Sequence, residues 1–324
     1  MKTKLLACDA FGITRAAKLL NSGKTVAIPT ETVYGLAADA RSDNAVQKIF
    51  DAKGRPAENP LIIHLARPED LPRFARAGNL AMSLAGRFWP GPLTLVLPAK
   101  ENSGISRVAT AGQRTVALRV PAHETARKIL GAFGGPAAAP SANLSGHVSA
   151  TAASHVLDDL GGRIDAVVDG GSCDAGIEST ILAVEADTIQ LLRSGAISAE
   201  DIESEIGEKV LLGSGTGAPP APGRGFAHYA PKTRVRINAD RPGIDEIWLG
   251  FGSNAKEDSM NLSKSGDLSE AASNLFQMLR IADKLAIESG SAAIAVSRVP
   301  DYGIGRAVND RLRRAAEGRK DWQA

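Results

Sequence analysis

The chain has 324 residues, a formal net charge of +2 and few aromatics, so it can bury a full core in about two domains and is not a dedicated nucleic-acid coat, although a local basic groove is allowed. Cys8 and Cys173 lack ligand-like spacing, which excludes a disulfide framework and a zinc site and fits a reducing cytoplasm. Lys2, Lys4 and Leu5-Leu6-Ala7-Cys8 imitate the end of a lipoprotein signal, but three apolar residues followed by Asp9 cannot form its apolar core, and no stretch approaches the roughly 20 apolar residues that span a bilayer, so a soluble cytoplasmic protein with no membrane partner is expected.

Along the chain, Ile13, Ala16, Ala17 and Leu20 predict a helix closed by Gly23, and residues 25–29 a strand. Asp43 is the expected N-cap of a helix through Val46, Ile49 and Phe50. Residues 59–66 read as a strand, 81–89 as a helix stopped by Pro90-Gly91, and 92–99 and 115–120 as strands. Helices over 124–133 and 152–160 precede strands over 164–169, 179–184 and 188–193, and a helix over 198–206 closes this part. This interleaving predicts an α/β fold on a mostly parallel or mixed sheet.

The stretch 213–223 is the longest Gly/Pro-rich run and reads as an interdomain linker. Beyond it come a strand at 246–251, a long amphipathic helix at 268–288, a strand at 292–299 and a helix at 306–317. The expected organisation is therefore a first α/β domain over 1–211, a linker over 212–231, with residues 222–231 a candidate lid, and a smaller α/β domain over 232–324.

Chemistry concentrates in short segments. Residues 52–64 put Lys53, Arg55, Asn59 and His64 on one turn feeding an apolar strand, a set suited to an anion: Arg offers a planar fork and Lys a point charge. Thr30, Thr32 and Tyr34 follow a strand, where their hydroxyls either bind a polar ligand or satisfy the local turn. Alternation along 115–120 puts Val116, Leu118 and Val120 on one face and Thr115, Ala117 and Arg119 on the other, so Arg119 points either into a cleft or to the sheet margin. The run 139–146, with Ser149 beyond, joins small residues and hydroxyls ahead of a helix N-terminus and is either an anion cradle or an ordinary capping loop. Arg193 adds a cation at another strand end.

No nucleophile elbow, Walker loop, His-Glu-x-x-His pair or dinucleotide fingerprint is present, and no pair of carboxylates stands out as acid and base. His123, His147 and His155 read as solvated, whereas His64 ends the apolar run. Jointly, Lys53, Arg55, Arg119 and Arg193 with Thr32, Thr115, Ser141, Asn143, Ser149 and Ser179 describe a site that binds polyanions and works by positioning and charge neutralisation.

The same segments resemble the YrdC/Sua5 family: Pro-Thr-Glu-Thr-Val-Tyr-Gly-Leu at 29–36, Lys-Gly-Arg-Pro at 53–56, Pro-Leu-Ile-Ile-His at 60–64, Trp-Pro-Gly-Pro-Leu-Thr at 89–94, Val-Ala-Leu-Arg-Val-Pro at 116–121, Ser-Ala-Asn-Leu-Ser-Gly at 141–146, Glu-Ser-Thr at 178–180 and Leu-Leu-Arg-Ser-Gly-Ala-Ile at 191–197. Ser194 stands where family members usually carry Pro, a departure expected to be harmless. His-Tyr-Ala-Pro at 228–231 and the run 303–312 resemble the linker and C-terminal domain of the longer Sua5 type.

The resemblance implies a YrdC-like twisted mixed sheet with helices plus a smaller Rossmann-like α/β C-terminal domain. It implies synthesis of threonylcarbamoyl-AMP and pyrophosphate from L-threonine, bicarbonate or CO₂, and ATP with Mg²⁺, for the t⁶A modification of tRNA. It further implies that Thr32, His64, Arg119, Ala139 and Ser179 hold threonine, and that Arg55, Asn59, Thr115, Ser141, Asn143, Ser149, Arg193 and Tyr229 hold the nucleotide. Lys53 and Arg55 would be the catalytic cations, with no protein-held metal. The implied partners are the transferase proteins that receive the adenylate, with room for contact to tRNA or double-stranded RNA. Two rivals fit less well: hydrogenase-maturation carbamoyltransferases carry acylphosphatase and zinc-finger modules that two cysteines cannot supply, and an RNA-binding module would want more net charge.

Overall fold

The computed structural model describes residues 2–186, 188–212, 228–253 and 259–318. The first part contains β1 (Lys4–Ala7), α1 (Ala10–Asn21), β2 (Val26–Ile28), β3 (Gly35–Asp39), α2 (Asp43–Lys53), β4 (Ile62–His64), α3 (Leu71–Phe74), α4 (Asn79–Phe88) and β5 (Leu93–Pro98). It continues with β6 (Thr115–Arg119), α5 (Glu124–Phe133), β7 (Ala137–Ala138), α6 (Ala153–Leu160), β8 (Ala166–Asp169), β9 (Thr180–Glu185), β10 (Thr188–Arg193), α7 (Ala199–Ile206) and β11 (Val210–Leu212). The second part has β12 (Arg234–Ala239), β13 (Glu246–Gly250), β14 (Met260–Asn261), α8 (Leu268–Ser289), β15 (Ala293–Ser297) and α9 (Gly305–Glu317).

One mixed sheet runs β1-β8-β2-β3-β7-β4-β6-β5-β9-β10-β11, and a second runs β12-β15-β13-β14 with every pairing parallel. The alternation read along β6 holds: Val116 and Leu118 enter the main core while Arg119 faces the other side. Leu84, Leu95, Val116 and Leu182 belong to that core, and α1 and α5 cover the other face through Leu20, Ile129 and Phe133. The apolar surface buried in these layers is the main stabilising term for such a fold.

The two parts share a core. Val33, Val148 and Ile177 of the first pack in one cluster with Leu275, Phe276 and Val308 of the second. Gly176, at φ +67°, faces α8 so closely that a Cβ would lie 2.3 Å from the Ser273 carbonyl oxygen, and so the position admits only glycine. Arg280 of α8 pairs with Asp159 at 2.8 Å and donates to the Val148 and Ser149 carbonyls.

Several expectations are corrected. Ser42, not Asp43, caps α2, its side chain accepting from the Ala45 N–H. The strand expected over 59–66 shortens to Ile62–His64, because the Asn59 and Pro60 carbonyls turn to the Arg55 guanidinium and Leu61 N–H donates to Ala109. His123, His147 and His155 are half-buried rather than solvated, and burial pushes His155 down to about 4. The Gly/Pro-rich run 213–223 and the lid residues 222–227 lie outside the described residues.

Candidate active site

A cleft lined by cationic, hydroxyl and apolar side chains opens where several strand ends converge, the mix expected of a small-molecule site. His64 ends β4 and Arg119 ends β6, and the two are register partners on adjacent parallel strands. Arg193 ends β10, and Ser179 immediately precedes β9. Thr30 to Gly35 link β2 to β3, and Ala139 to Ser141 follow β7. Ligand sites in open α/β sheets favour such strand ends.

The turn after β2 satisfies both readings of its hydroxyls. Thr30 Oγ1 donates to the Val33 carbonyl at 2.6 Å and accepts from the Thr32 and Val33 N–H groups, so Thr30 serves the backbone. Thr32 Oγ1 instead accepts from Arg119 Nη1 at 2.9 Å and faces the cleft. The ligand reading of Tyr34 is closed: its hydroxyl donates to Gly171 O at 2.7 Å and accepts from Gly170 N–H.

Arg119 points into the cleft rather than to the margin. Its Nε donates to the Gly91 carbonyl at 3.2 Å, and its Nη2 lies 2.7 Å from Glu31 Oε1. That last contact is a close ion pair whose hydrogen-bond alignment is poor, so Nη2 makes no well-aligned hydrogen bond among the described residues. Burial pushes the Glu31 carboxyl up, but the adjoining Arg119 outweighs it and holds the group below the ordinary carboxylate range. His64 is sealed and beside Arg119, so burial first and the guanidinium second push it down to about 3, leaving a neutral imidazole whose Nδ1 has no hydrogen-bond partner among the described residues.

Arg55 and Arg193 line the same cleft. Arg55 donates to the Asn59 and Pro60 carbonyls at 3.3 and 3.1 Å, and burial lowers it to about 10. Arg193 Nη2 donates to the Ser179 carbonyl at 2.9 Å and to Ser179 Oγ at 3.2 Å. The two guanidiniums, Arg55 half-buried and Arg193 buried, face one space, disfavour each other's charge and would be relieved by an anion.

Thr32, Arg55, His64, Arg119, Ala139, Ser141, Ser179, Arg193 and Tyr229 line this cleft. Lys53, Asn59, Thr115, Asn143 and Ser149 do not. Lys53 is sealed, its Nζ donating to the Ser141 carbonyl at 2.7 Å and to the Asn143 carbonyl, and burial drives its proton affinity well down. It braces the 141–145 loop, as does Asn143 through the Leu144 and His147 carbonyls. Thr115 lines a separate small hollow with Pro60, Leu61 and Gln113. Ser149 Oγ donates to Glu178 Oε1 at 2.6 Å.

Three further groups were not singled out from sequence. Glu178 and His228 line the cleft, and Glu31 pairs with Arg119. Each adjoins a residue that was, inside the same short motif, so the signal was there but masked by its hydroxyl or aromatic neighbour. Among the described residues no group of His, Cys, Asp and Glu is arranged to hold a metal ion.

Residues 18–195 match the family profile described as "Telomere recombination" (Sua5_yciO_yrdC), and residues 197–317 match "Threonylcarbamoyl-AMP synthase, C-terminal domain". A protein of Pyrococcus abyssi named threonylcarbamoyl-AMP synthase is 42% identical over 95% of this chain and 95% of its own length. One of Bacillus subtilis with the same name is 41% identical over 95% and 93%. Among solved structures, P. abyssi Sua5 complexed with L-threonine superposes with a TM-score of 0.87 at 40% identity, covering 98% of each chain.

Proposed function

The chain belongs to the Sua5/YrdC family of threonylcarbamoyl-AMP synthases, and from that premise we propose how its cleft condenses L-threonine, bicarbonate or CO₂, and ATP into threonylcarbamoyl-AMP and pyrophosphate. The observation that carries this reading is the gathering of three cations in one cleft: Arg119, bonded to Thr32, together with Arg55 and Arg193. The single Arg119 fork suits a carboxylate, and the Arg55–Arg193 pair suits a polyphosphate.

Threonine's carboxylate takes the Arg119 fork, Thr32 and Ser179 add hydroxyl contacts, and neutral His64 offers its open Nδ1. Ala139, with Val33 and Ile62, supplies an apolar wall for the methyl group. The amine, once deprotonated, adds to CO₂ to give a carbamate and a proton. A carbamate oxygen attacks the α-phosphorus of ATP in line as the bond to the pyrophosphate oxygen breaks. Arg55, Arg193, Ser141 and Tyr229 hold the triphosphate and the leaving pyrophosphate, so catalysis is positioning and charge stabilisation without a covalent enzyme intermediate. Asn143, Ser149 and Lys53 act one step back, fixing the loops that present these groups.

Mg²⁺ would arrive on the nucleotide and neutralise phosphate charge. The donor set around the cleft does not fit a protein-held metal, since Glu178 is already engaged by Ser149 and Arg311. The division into a catalytic domain over 1–211 and a second domain over 232–324 is part of the reading, supported by the two separate sheets. The product is a mixed anhydride, which a tRNA-modifying transferase in the cytoplasm would consume.

Purified protein with ATP, Mg²⁺, bicarbonate and labelled threonine should yield the labelled adenylate and equimolar pyrophosphate, each dependent on threonine and bicarbonate. Pyrophosphate release indifferent to threonine, or no adenylate, would overturn the assignment.

A further inference from the structure

Arg311 belongs to the second part of the chain, yet its side chain is fully enclosed against the cleft of the first. On α9 it occupies a position in the apolar stripe shared by Ala307, Val308, Leu312 and Ala315, where a leucine would be the ordinary choice. A guanidinium buried there is costly unless its partners are good ones. Its Nε donates to Glu178 Oε2 at 3.1 Å and its Nη1 to the Ser194 carbonyl at 2.7 Å, with Asp310 Oδ2 2.9 Å away. Its guanidinium carbon lies 5.3 Å from the centroid of the Tyr229 ring, a cation–π distance. The Tyr229 ring also stacks on Phe276 of α8 at 5.3 Å. Two residues of the second part therefore hold two lining groups of the cleft, Glu178 and Tyr229.

The charge on Glu178 is what makes Arg311 informative. A carboxylate 6% exposed in the wall of a cleft that receives a triphosphate repels its own ligand. The carboxyl nonetheless stays ionised: burial pushes it up, and Arg311 foremost, then Arg193 and the Ser149 hydroxyl, bring it below the ordinary range. Glu178 in turn fixes Ser149, at 2.6 Å, and directly precedes Ser179.

We propose that Arg311 is a positioning residue of the nucleotide site: it cancels the charge of Glu178 and clamps the Tyr229 ring against Phe276, so that docking of the second domain completes the site. The inference rests on the nucleotide reading of the Arg55–Arg193 pair, and its test is an affinity measured apart from turnover. The full-length chain carrying Arg311→Gln, Glu178→Gln or both is compared with wild type for ATP–Mg²⁺ binding by calorimetry, for threonine binding, and for the KM of each substrate, with circular dichroism and Tm to check the fold.

Arg311→Gln should weaken ATP about tenfold or more, the scale of one charge-assisted contact, and threonine less than about threefold. Glu178→Gln keeps the acceptor for Ser149 while removing the negative charge, so ATP should bind equally or more tightly. In the double variant ATP affinity should return to within about threefold of wild type, because the unpaired carboxylate is gone. A merely structural bond predicts the opposite: both single substitutions weaken ATP and the double does not recover. That pattern, or a folded Arg311→Gln protein with wild-type ATP affinity, overturns the proposal. Should Arg311→Gln not fold, the sign of the Glu178→Gln effect and the affinity of the double variant still decide it. Failure of wild type to make the adenylate would strike the proposed reaction, while these affinity ratios would stand or fall separately.

Discussion

Arg119 and Glu31 meet at 2.7 Å between Nη2 and Oε1, the arginine 4% and the glutamate 12% exposed. The protein's own carboxylate thus meets one arm of the fork proposed for the threonine carboxylate, and the pair's poor hydrogen-bond alignment leaves Nη2 able to donate to a better-placed acceptor. Arg119→Gln should raise the threonine KM by about 10- to 150-fold, as loss of a buried charge-assisted bond predicts, with the ATP KM changing far less. Steady-state titration of each substrate separates the two, and an unchanged threonine KM would remove Arg119 from that role.

The same pair gives a pH signature. The folded-state pKa of Glu31 lies below its ordinary value, so the pair's stabilisation is fully present above about 4.3, the unfolded value, and is lost as pH falls through the folded one. The Tm difference between wild type and Glu31→Gln should therefore be constant from neutral pH to about pH 5 and shrink in more acidic solution. Thermal melts across that range check it; a difference that grows on acidification has the wrong sign for this pair.

Threonine should be preferred to serine because Ala139, Val33 and Ile62 offer an apolar wall to the extra methyl group. A methyl in such a pocket is worth about 10- to 200-fold in kcat/KM, so serine should be slow but measurable. Equal kcat/KM for the two amino acids would show that the wall faces something else.

The strands with branched side chains and the helices with clear periodicity were legible in the sequence, and α5 and β10 fall at the expected bounds. β3 was not, because Gly35-Leu-Ala-Ala-Asp39 carries no β-branched residue; its extended form comes from pairing with β2 and β7. The site was legible as residue types but not as roles. A lysine beside an arginine reads as two ligand cations, and only tertiary packing shows that Arg55 lines the cleft while Lys53 turns to loop carbonyls. Arg311 was hidden for the opposite reason: a charged residue on an amphipathic helix is ordinarily read as solvated, and its partner Glu178 is 133 positions away.

Lys53 therefore yields a prediction unlike that of a catalytic cation. Its Nζ holds the Ser141 and Asn143 carbonyls, and its own carbonyl accepts from Ser145 N–H at 2.9 Å. Lys53→Met should lower stability by about 1.5–3 kcal/mol, raise the ATP KM, and speed amide exchange across 141–145. Lys53→Arg should not restore the loop, because a guanidinium does not fit a space shaped for an ammonium. A drop in kcat with Tm and exchange unchanged would return Lys53 to the chemistry.

Tyr229 offers the sharpest division between packing and ligand contact. Its backbone sits at φ +65°, a left-handed conformation costly for a tyrosine, and the ring is held edge-on by His228 at 4.0 Å and face-on by Phe276 at 5.3 Å. All this places a hydroxyl that is fully buried, lines the cleft and has no hydrogen-bond partner among the described residues. Burial pushes the phenol up to about 12, so it stays protonated at any working pH and keeps its O–H to donate to an acceptor such as a phosphate oxygen. Tyr229→Phe keeps every ring contact and deletes only that donor; it should leave Tm within about 1 °C and weaken ATP about 3- to 10-fold, the measure of one hydrogen bond. Tyr229→Ala removes the ring as well, opening a void between Phe276 and Arg311, and should lower Tm by several degrees and nearly abolish ATP binding. If the phenylalanine variant binds ATP as wild type does while the alanine variant fails, the ring alone matters and the hydroxyl has some other purpose in the cleft.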